Sequence, residues 1–205
     1  MTKPMICLGS ASPRRAELLA QIGVSFKVAT ADIDESPQPG EVPEVYVLRM
    51  ARHKAAAVSA QHPDLPVLAA DTTVVVDGEI LGKPRDAADG LAMLERLSGR
   101  AHQVLTALAV VEAGVAARRA SRLNVNKVVF RATTAAERLA YWRTGEAADK
   151  AGAYAIQGRA AAFIEHLEGS FSAVMGLPLF ETAQLLAEFG INVCDHWSDN
   201  GGEGA

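Results

Sequence analysis

Apolar and polar positions along this chain repeat with two periods, which exchange in a regular order. Met5 to Leu8 is a short continuous apolar run, the pattern of a buried strand. Ala16 to Ile22 has helical spacing and stops at Gly23, where a left-handed residue closes a helix. Val24, Phe26 and Val28 then alternate with Ser25 and Lys27, which predicts a half-buried strand. From Glu44 to Ala60, the residues Val45, Leu48, Ala51, Ala55 and Val58 fall near one helical face. Val67 to Val76 is apolar on both faces, as a central strand is. Asp77-Gly78 supplies a hairpin turn, and Ile80 and Leu81 return from it. Asp86 caps a helix with Leu91, Leu94 and Leu97 on one side and Gly99 at its end. His102 to Glu112 and Val115 to Phe130 read as two strands joined at Ala113-Gly114. Thr134 and Glu137 form a capping box for a helix ending at Gly145. Phe163, Ile164 and Leu167 mark another short strand, and Leu177 to Phe189 a last amphipathic helix closed by Gly190.

Strands and helices thus alternate, interrupted by one hairpin. That order predicts an α/β fold with a central mixed sheet flanked by helices. There is no internal repeat and no dividing linker, so residues 1–194 are expected to form a single domain. The polar, glycine-rich residues 195–205 are expected to be a flexible tail. Ligands of such sheets bind beyond the carboxyl ends of strands.

Composition narrows the function classes. The 205 residues are 49% hydrophobic and 21% charged, ordinary for a globular protein with a sizeable core. A net charge of −4 argues against nucleic acid as a partner. Cys7 and Cys194 can build neither a disulfide framework nor a metal spacing. The apolar run before Gly9 is too short for a signal peptide, and no apolar run reaches membrane length. A cytoplasmic protein without membrane contact is expected. A homodimer is the base-rate assembly.

The candidate chemistry starts in Leu8-Gly9-Ser10-Ala11-Ser12-Pro13-Arg14-Arg15. Ser12 is suited to an N-cap and Pro13 to the first helical position, so the stretch reads as strand, tight turn and helix start. Backbone N–H groups at such a start face an anion well, and guanidinium forks match phosphate. The same residues also read as a capped surface helix with two solvated arginines. Asp32, Asp34 and Glu35 are either a solvated strand end or oxygen ligands for a divalent cation. Asp71 lies inside an apolar strand, where a carboxylate must be paired or functional. Thr72, Thr73 or a buried arginine would satisfy it equally. Lys83 is expected beside this strand, and Lys54, late in its helix, reads first as solvated.

Four blocks stand in a distinctive order: Ser10-Ala11-Ser12-Pro13-Arg14-Arg15, Ala69-Ala70-Asp71-Thr72, Gly82-Lys83-Pro84, and Asp149-Lys150-Ala151-Gly152-Ala153-Tyr154-Ala155-Ile156-Gln157-Gly158. Ser98-Gly99 with His102, Val104 and Thr106, and Gly176-Leu177-Pro178, accompany them. Together they resemble the Maf family of nucleoside triphosphate pyrophosphatases, relatives of the inosine triphosphate pyrophosphatases, from about Leu8 to Gly190. The resemblance implies a twisted mixed sheet in two lobes with a cleft. It implies hydrolysis of nucleoside triphosphates to monophosphate and pyrophosphate with a divalent cation, Mg²⁺ or Mn²⁺. Asp71 matches the family's catalytic aspartate. Ser10, Arg14, Arg15, Lys54 and Lys83 match its phosphate-side residues, and Glu35 joins Asp71 near the metal. Lys150 and Gln157 match the branch that resembles dTTP/UTP pyrophosphatases, with Arg14, Thr72 and Gln157 at its specificity positions. A sister branch acting on 7-methyl-GTP typically has Ser and Glu at 150 and 157.

The chemistry suits these assignments. A carboxamide at 157 can donate to a pyrimidine carbonyl and accept from the ring N–H. Guanine offers the same pair, so pocket size must share the discrimination. Ala147-Ala148, Ala173 and Asn126-Lys127 depart from the family pattern, but lie outside the assigned residues. Alternative readings are a nucleotide-binding regulator of cell division, or a pyrophosphatase for 7-methyl-GTP or non-standard purine nucleotides.

Overall fold

The computed structural model describes residues 3–112 and 118–197. The chain runs β1 (Ile6–Leu8), α1 (Pro13–Gln21), β2 (Phe26–Val28), α2 (Pro43–Gln61), β3 (Val67–Val76), β4 (Glu79–Leu81) and α3 (Ala87–Leu97). It continues through β5 (Ala101–Val111), β6 (Arg119–Phe130), α4 (Ala135–Trp142), β7 (Ile164–Glu168), α5 (Phe171–Met175) and α6 (Leu179–Ala187). Short 3-10 turns cover Ala151–Ala153, Arg159–Phe163 and Val193–His196. The expected turn Ala113-Gly114 and residues 198–205 of the expected tail lie outside the described residues. At residue 197, just before them, the indole of Trp197 donates to the Ile22 carbonyl at 2.9 Å. Among the described residues no helix is long and apolar enough to cross a membrane.

The sheet is mixed, as the alternation of elements predicts. Its order is β2-β1-β3-β5-β6-β7, with β4 also on β3. β1 is parallel to β2 and β3; β3, β5, β6 and β7 are successively antiparallel. The long apolar runs became the central strands because both of their faces are covered. Residues Ala69 and Val75 of β3 join Leu105, Ala107 and Ala109 of β5 in a core beneath Val47, Ala51 and Ala55 of α2. Leu68 and Ala70 point the other way, into a core with α1 and α6. Val74 and Val76 enter a third core with α3, α4 and the 147–163 segment.

Helix ends differ from expectation in detail. Asp86 and Thr134 cap as predicted, the latter in a reciprocal capping box with Glu137. Ser12 occupies the N-cap position of α1 but its side chain makes no capping bond. Its own N–H instead donates to Ser10 Oγ at 3.2 Å, which folds the turn back on itself. The expected helix from Leu177 is α6, which starts two residues later, after Pro178, and the short helix α5 ahead of Gly176 has no counterpart in the sequence pattern.

One feature of the topology makes room for a site. β1 pairs with β3 only at Val67 and Leu68, and β4 pairs with β3 only from Val74 to Val76. Residues 69–73 therefore have a sheet neighbour on the β5 side alone. Side chains from both faces of β3 can reach this interruption.

Candidate active site

A cavity of about 690 Å³ occupies the interruption. The nine residues matched to the family's site line it: Ser10, Arg14, Arg15, Glu35, Lys54, Asp71, Thr72, Lys83 and Gln157. They come from a turn, the start of α1, a loop, α2, β3, a second loop and the 149–158 segment, so only tertiary folding brings them together.

The floor is β3. Asp71 is 8% exposed and points to the α2 face, where Lys54 Nζ donates to Asp71 Oδ1 at 2.6 Å. Lys54 also contacts Glu35 Oε1 at 3.0 Å. Burial pushes the Asp71 carboxyl up, while the charges of Lys54 and Arg15 oppose the rise. Of the three clustered acids only Glu35 reaches the cavity. Asp34 accepts from the Ser36 N–H in a local turn. The expected metal pair therefore exists as two carboxylates converging on one ammonium. Among the described residues no group of three or more metal-ligating side chains is present. Two carboxylate oxygens aimed at one cation suit a hard divalent ion whose other ligands are water or phosphate.

The opening turn forms one wall. Gly9 packs so close to β3 that an added Cβ would lie 3.2 Å from Ala69 Cβ. The two arginines that follow have separate tasks. Arg15 donates through Nε to the Gly176 carbonyl at 2.8 Å, through Nη1 to Ser10 Oγ at 3.2 Å and through Nη2 to Thr72 Oγ1 at 3.3 Å. The Thr72 hydroxyl meets that of Thr106 at 3.0 Å, and Thr106 donates to the Ala173 carbonyl at 2.8 Å. Arg15 is thus a clamp between the turn, β3 and the end of α5. Arg14 reaches across the cleft to Asp149, 3.9 Å away.

The opposite wall is the 149–158 segment. Its Tyr154, Ala155 and Ile156 are buried, and Gln157 is exposed at the cleft. Lys83 is likewise exposed, on the loop whose Gly82 carbonyl accepts from Gly152 N–H at 3.1 Å. The arrangement joins a carboxylate–ammonium–carboxylate group to a cationic rim and a mostly apolar inner wall.

A family model described as Maf-like protein matches residues 5–189. The chain belongs to the Maf family. It is 54% identical over 201 residues to a dTTP/UTP pyrophosphatase of Alkalilimnicola ehrlichii, covering 95% of this chain and 98% of that protein. It is 51% identical over 190 residues to one of Saccharophagus degradans, covering 91% and 89%. A third, of Myxococcus xanthus, is 52% identical over 188 residues, covering 91% and 93%. Among solved structures, a nucleoside-triphosphatase, dITP/XTP pyrophosphatase of Mycobacterium abscessus overlays on 61% of this chain and 73% of its own, with TM-score 0.40 and 20% identity.

Three site residues of this Maf protein escape the sequence reading. Tyr46 donates its hydroxyl to the Glu35 carbonyl at 3.0 Å, and fixes the loop that carries that acid. Burial, with Asp71 and Glu35 nearby, pushes its phenol up to about 12, so it stays a donor. Asp149 pairs with Lys150 as well as Arg14, and ties the two walls. Thr106 extends the Arg15 network into β5. Tyr46 carried no signal of its own, and Thr106 was named only as a residue accompanying the family blocks. Asp149 and Lys150 stood in a quoted block, yet nothing in their spacing showed that they face Arg14.

Proposed function

We propose that the protein hydrolyses dTTP and UTP to the nucleoside monophosphate and pyrophosphate. The observation that carries this reading is the convergence of Asp71, Lys54 and Glu35 in a cleft whose far wall presents Gln157. The names of the relatives above support the choice of substrate.

The chain's own residues account for the steps. A water oxygen attacks the α-phosphorus, and the bond from that phosphorus to the α,β-bridging oxygen breaks. Asp71 accepts the water's proton; its bond to Lys54 orients it, and burial, by raising its carboxyl, makes it a better base. Charge accumulates on the leaving pyrophosphate, and Arg14, Lys54 and Lys83 lie on the cleft to stabilise it. Arg15 acts through its charge and through the turn it holds. Asp71 and Glu35 would hold a divalent cation, Mg²⁺ or Mn²⁺, which supplies further neutralisation of the phosphate oxygens. The Gln157 amide reads the pyrimidine carbonyl and ring N–H.

A panel of nucleoside triphosphates with Mg²⁺ or Mn²⁺, assayed for pyrophosphate, tests the reading. Release from dTTP and UTP in preference to dGTP and 7-methyl-GTP is expected. No pyrophosphate from either pyrimidine would refute it. Preference for 7-methyl-GTP would move the protein to the sister branch.

A further inference from the structure

We propose that the buried pair His102–Tyr154 is a positioning device that fixes the 149–158 wall and thereby keeps the cleft too narrow for a purine. The part concerning the wall stands on geometry alone, and the part concerning bases rests on the reading of the cleft as a pyrimidine nucleotide site.

Tyr154 is the bulkiest buried member of that wall. It lines the cavity, is 5% exposed, and its hydroxyl lies 2.8 Å from His102 Nε2. His102 is on β5, where it pairs with Val128 of β6, so the bond ties a loop to the sheet. The rings form an edge-on triangle. Centroids are 5.4 Å apart for His102 and Tyr154, 5.2 Å for His102 and Phe130, and 4.9 Å for Phe130 and Tyr154. His102 Nδ1 is buried without a hydrogen-bond partner among the described residues, so Tyr154 is the sole polar partner of the ring. Burial holds the imidazole neutral by lowering it to about 4.

The wall needs such an anchor. Gly152 and Ala153 are both left-handed, at φ 68° and 58°. For Ala153 that conformation persists only where the surroundings over-determine it. Beyond Tyr154, the Ala155 N–H donates to the Tyr141 hydroxyl at 3.1 Å, and Tyr141 donates to Glu146 Oε1 at 2.9 Å. Gly152 is tied to Gly82, and Arg159 N–H to Glu146 Oε2 at 3.1 Å. Of these ties only Tyr154 reaches a side chain of the sheet. Lys150 and Gln157 are carried on either side of it. Guanine can satisfy Gln157 as uracil does, so exclusion of purines falls to the position of this wall.

The test uses His102→Leu, His102→Gln, Tyr154→Phe and the His102→Leu/Tyr154→Phe double variant. Two quantities are read: amide hydrogen exchange at Gly152 and Ala155, and the kcat/KM ratio of dGTP to dTTP. His102→Leu and Tyr154→Phe should each lower protection about tenfold, the equilibrium value of one buried hydrogen bond. Each should raise the dGTP to dTTP ratio by a similar factor. The double variant should go no further, because both act through one bond. His102→Gln should stay near the parent, since its amide can still meet the phenol. The proposal is overturned if protection is unchanged, or if His102→Gln behaves as His102→Leu, which would make the ring's packing the cause. Lower melting temperature with an unchanged ratio overturns its functional half. A parent protein that does not prefer dTTP refutes the proposed substrate instead, while the exchange measurement still decides the pair.

Discussion

Asp71 is a carboxylate inside an apolar strand, and its one direct ionic partner among the described residues, Lys54, comes from a helix seventeen positions earlier. Asp71→Asn keeps an oxygen for Lys54 but cannot take a proton. Its kcat should fall by roughly 10²–10⁴-fold, the usual contribution of a general base, while its melting curve stays near that of the parent. Normal turnover would remove Asp71 from the mechanism. Gln157→Glu puts an acceptor where a donor is needed. Its kcat/KM for dTTP and UTP should drop by about 10-fold or more, one hydrogen bond's worth with added repulsion, without loss of stability at this exposed position. His102 gives a pH prediction. Its folded value of about 4 lies below the ordinary 6.5 because burial disfavours the charged ring. The unfolded chain therefore binds the proton first. Stability from the neutral ring is complete above pH 6.5 and is lost as pH falls toward 4, amounting to about 3 kcal/mol at that end. Urea titrations across this window should show the slope, and His102→Leu should flatten it. At this scale the sequence was legible where a residue was out of place. Asp71 stood out in an apolar run; Tyr46 on an amphipathic helix did not.

Elements carry the next set of constraints. The β1–α1 turn resembled an anion site from its own residues, yet Ser12 makes no cap and Arg15 binds protein groups on three segments. Arg15→Lys retains the charge but loses the fork. It should cost about 2 kcal/mol, in line with hydrogen bonds to a charged group, and weaken substrate binding as the turn loosens. Equal stability of Arg15→Lys and parent in chemical denaturation would show that the clamp is idle. Gly152 is left-handed, and a Cβ there would lie 2.9 Å from Val74 Cγ2. Gly152→Ala should therefore destabilise by about 1–3 kcal/mol and lower kcat/KM together with it. The strands, the β3–β4 hairpin and the caps at Asp86 and Thr134 were readable because period and cap residues are local. Helix α5 was missed because its five residues, Phe171–Met175, are too few to display a helical period.

For the whole molecule, β3 is the member common to all cores. Its residues enter each of the four buried clusters, from Val67 under α2 to Val76 beside α3 and α4. The parts on either side of the cleft therefore share one strand, and unfolding in urea should be a single transition by circular dichroism and by tryptophan fluorescence. Leu108→Ala, fully buried on β5, should lower stability by about 3 kcal/mol in both signals alike. Separate transitions would show that the two sides unfold independently.

Local periodicity determined the succession of strands and helices, and with it the α/β class and the mixed sheet, because burial of one face repeats at 2.0 or 3.6 residues whatever lies beyond. The residue blocks determined the family. Neither determined how far β1 and β4 cover β3, and that leaves residues 69–73 open to the cleft. Nor did they determine that Lys54 sits between Asp71 and Glu35, that Arg15 is a clamp, or that His102 holds Tyr154. Apart from the Arg15–Ser10 bond, these contacts span 17 to 161 positions of sequence. Their strength depends on desolvation, and only the packed structure decides which polar groups lose water together.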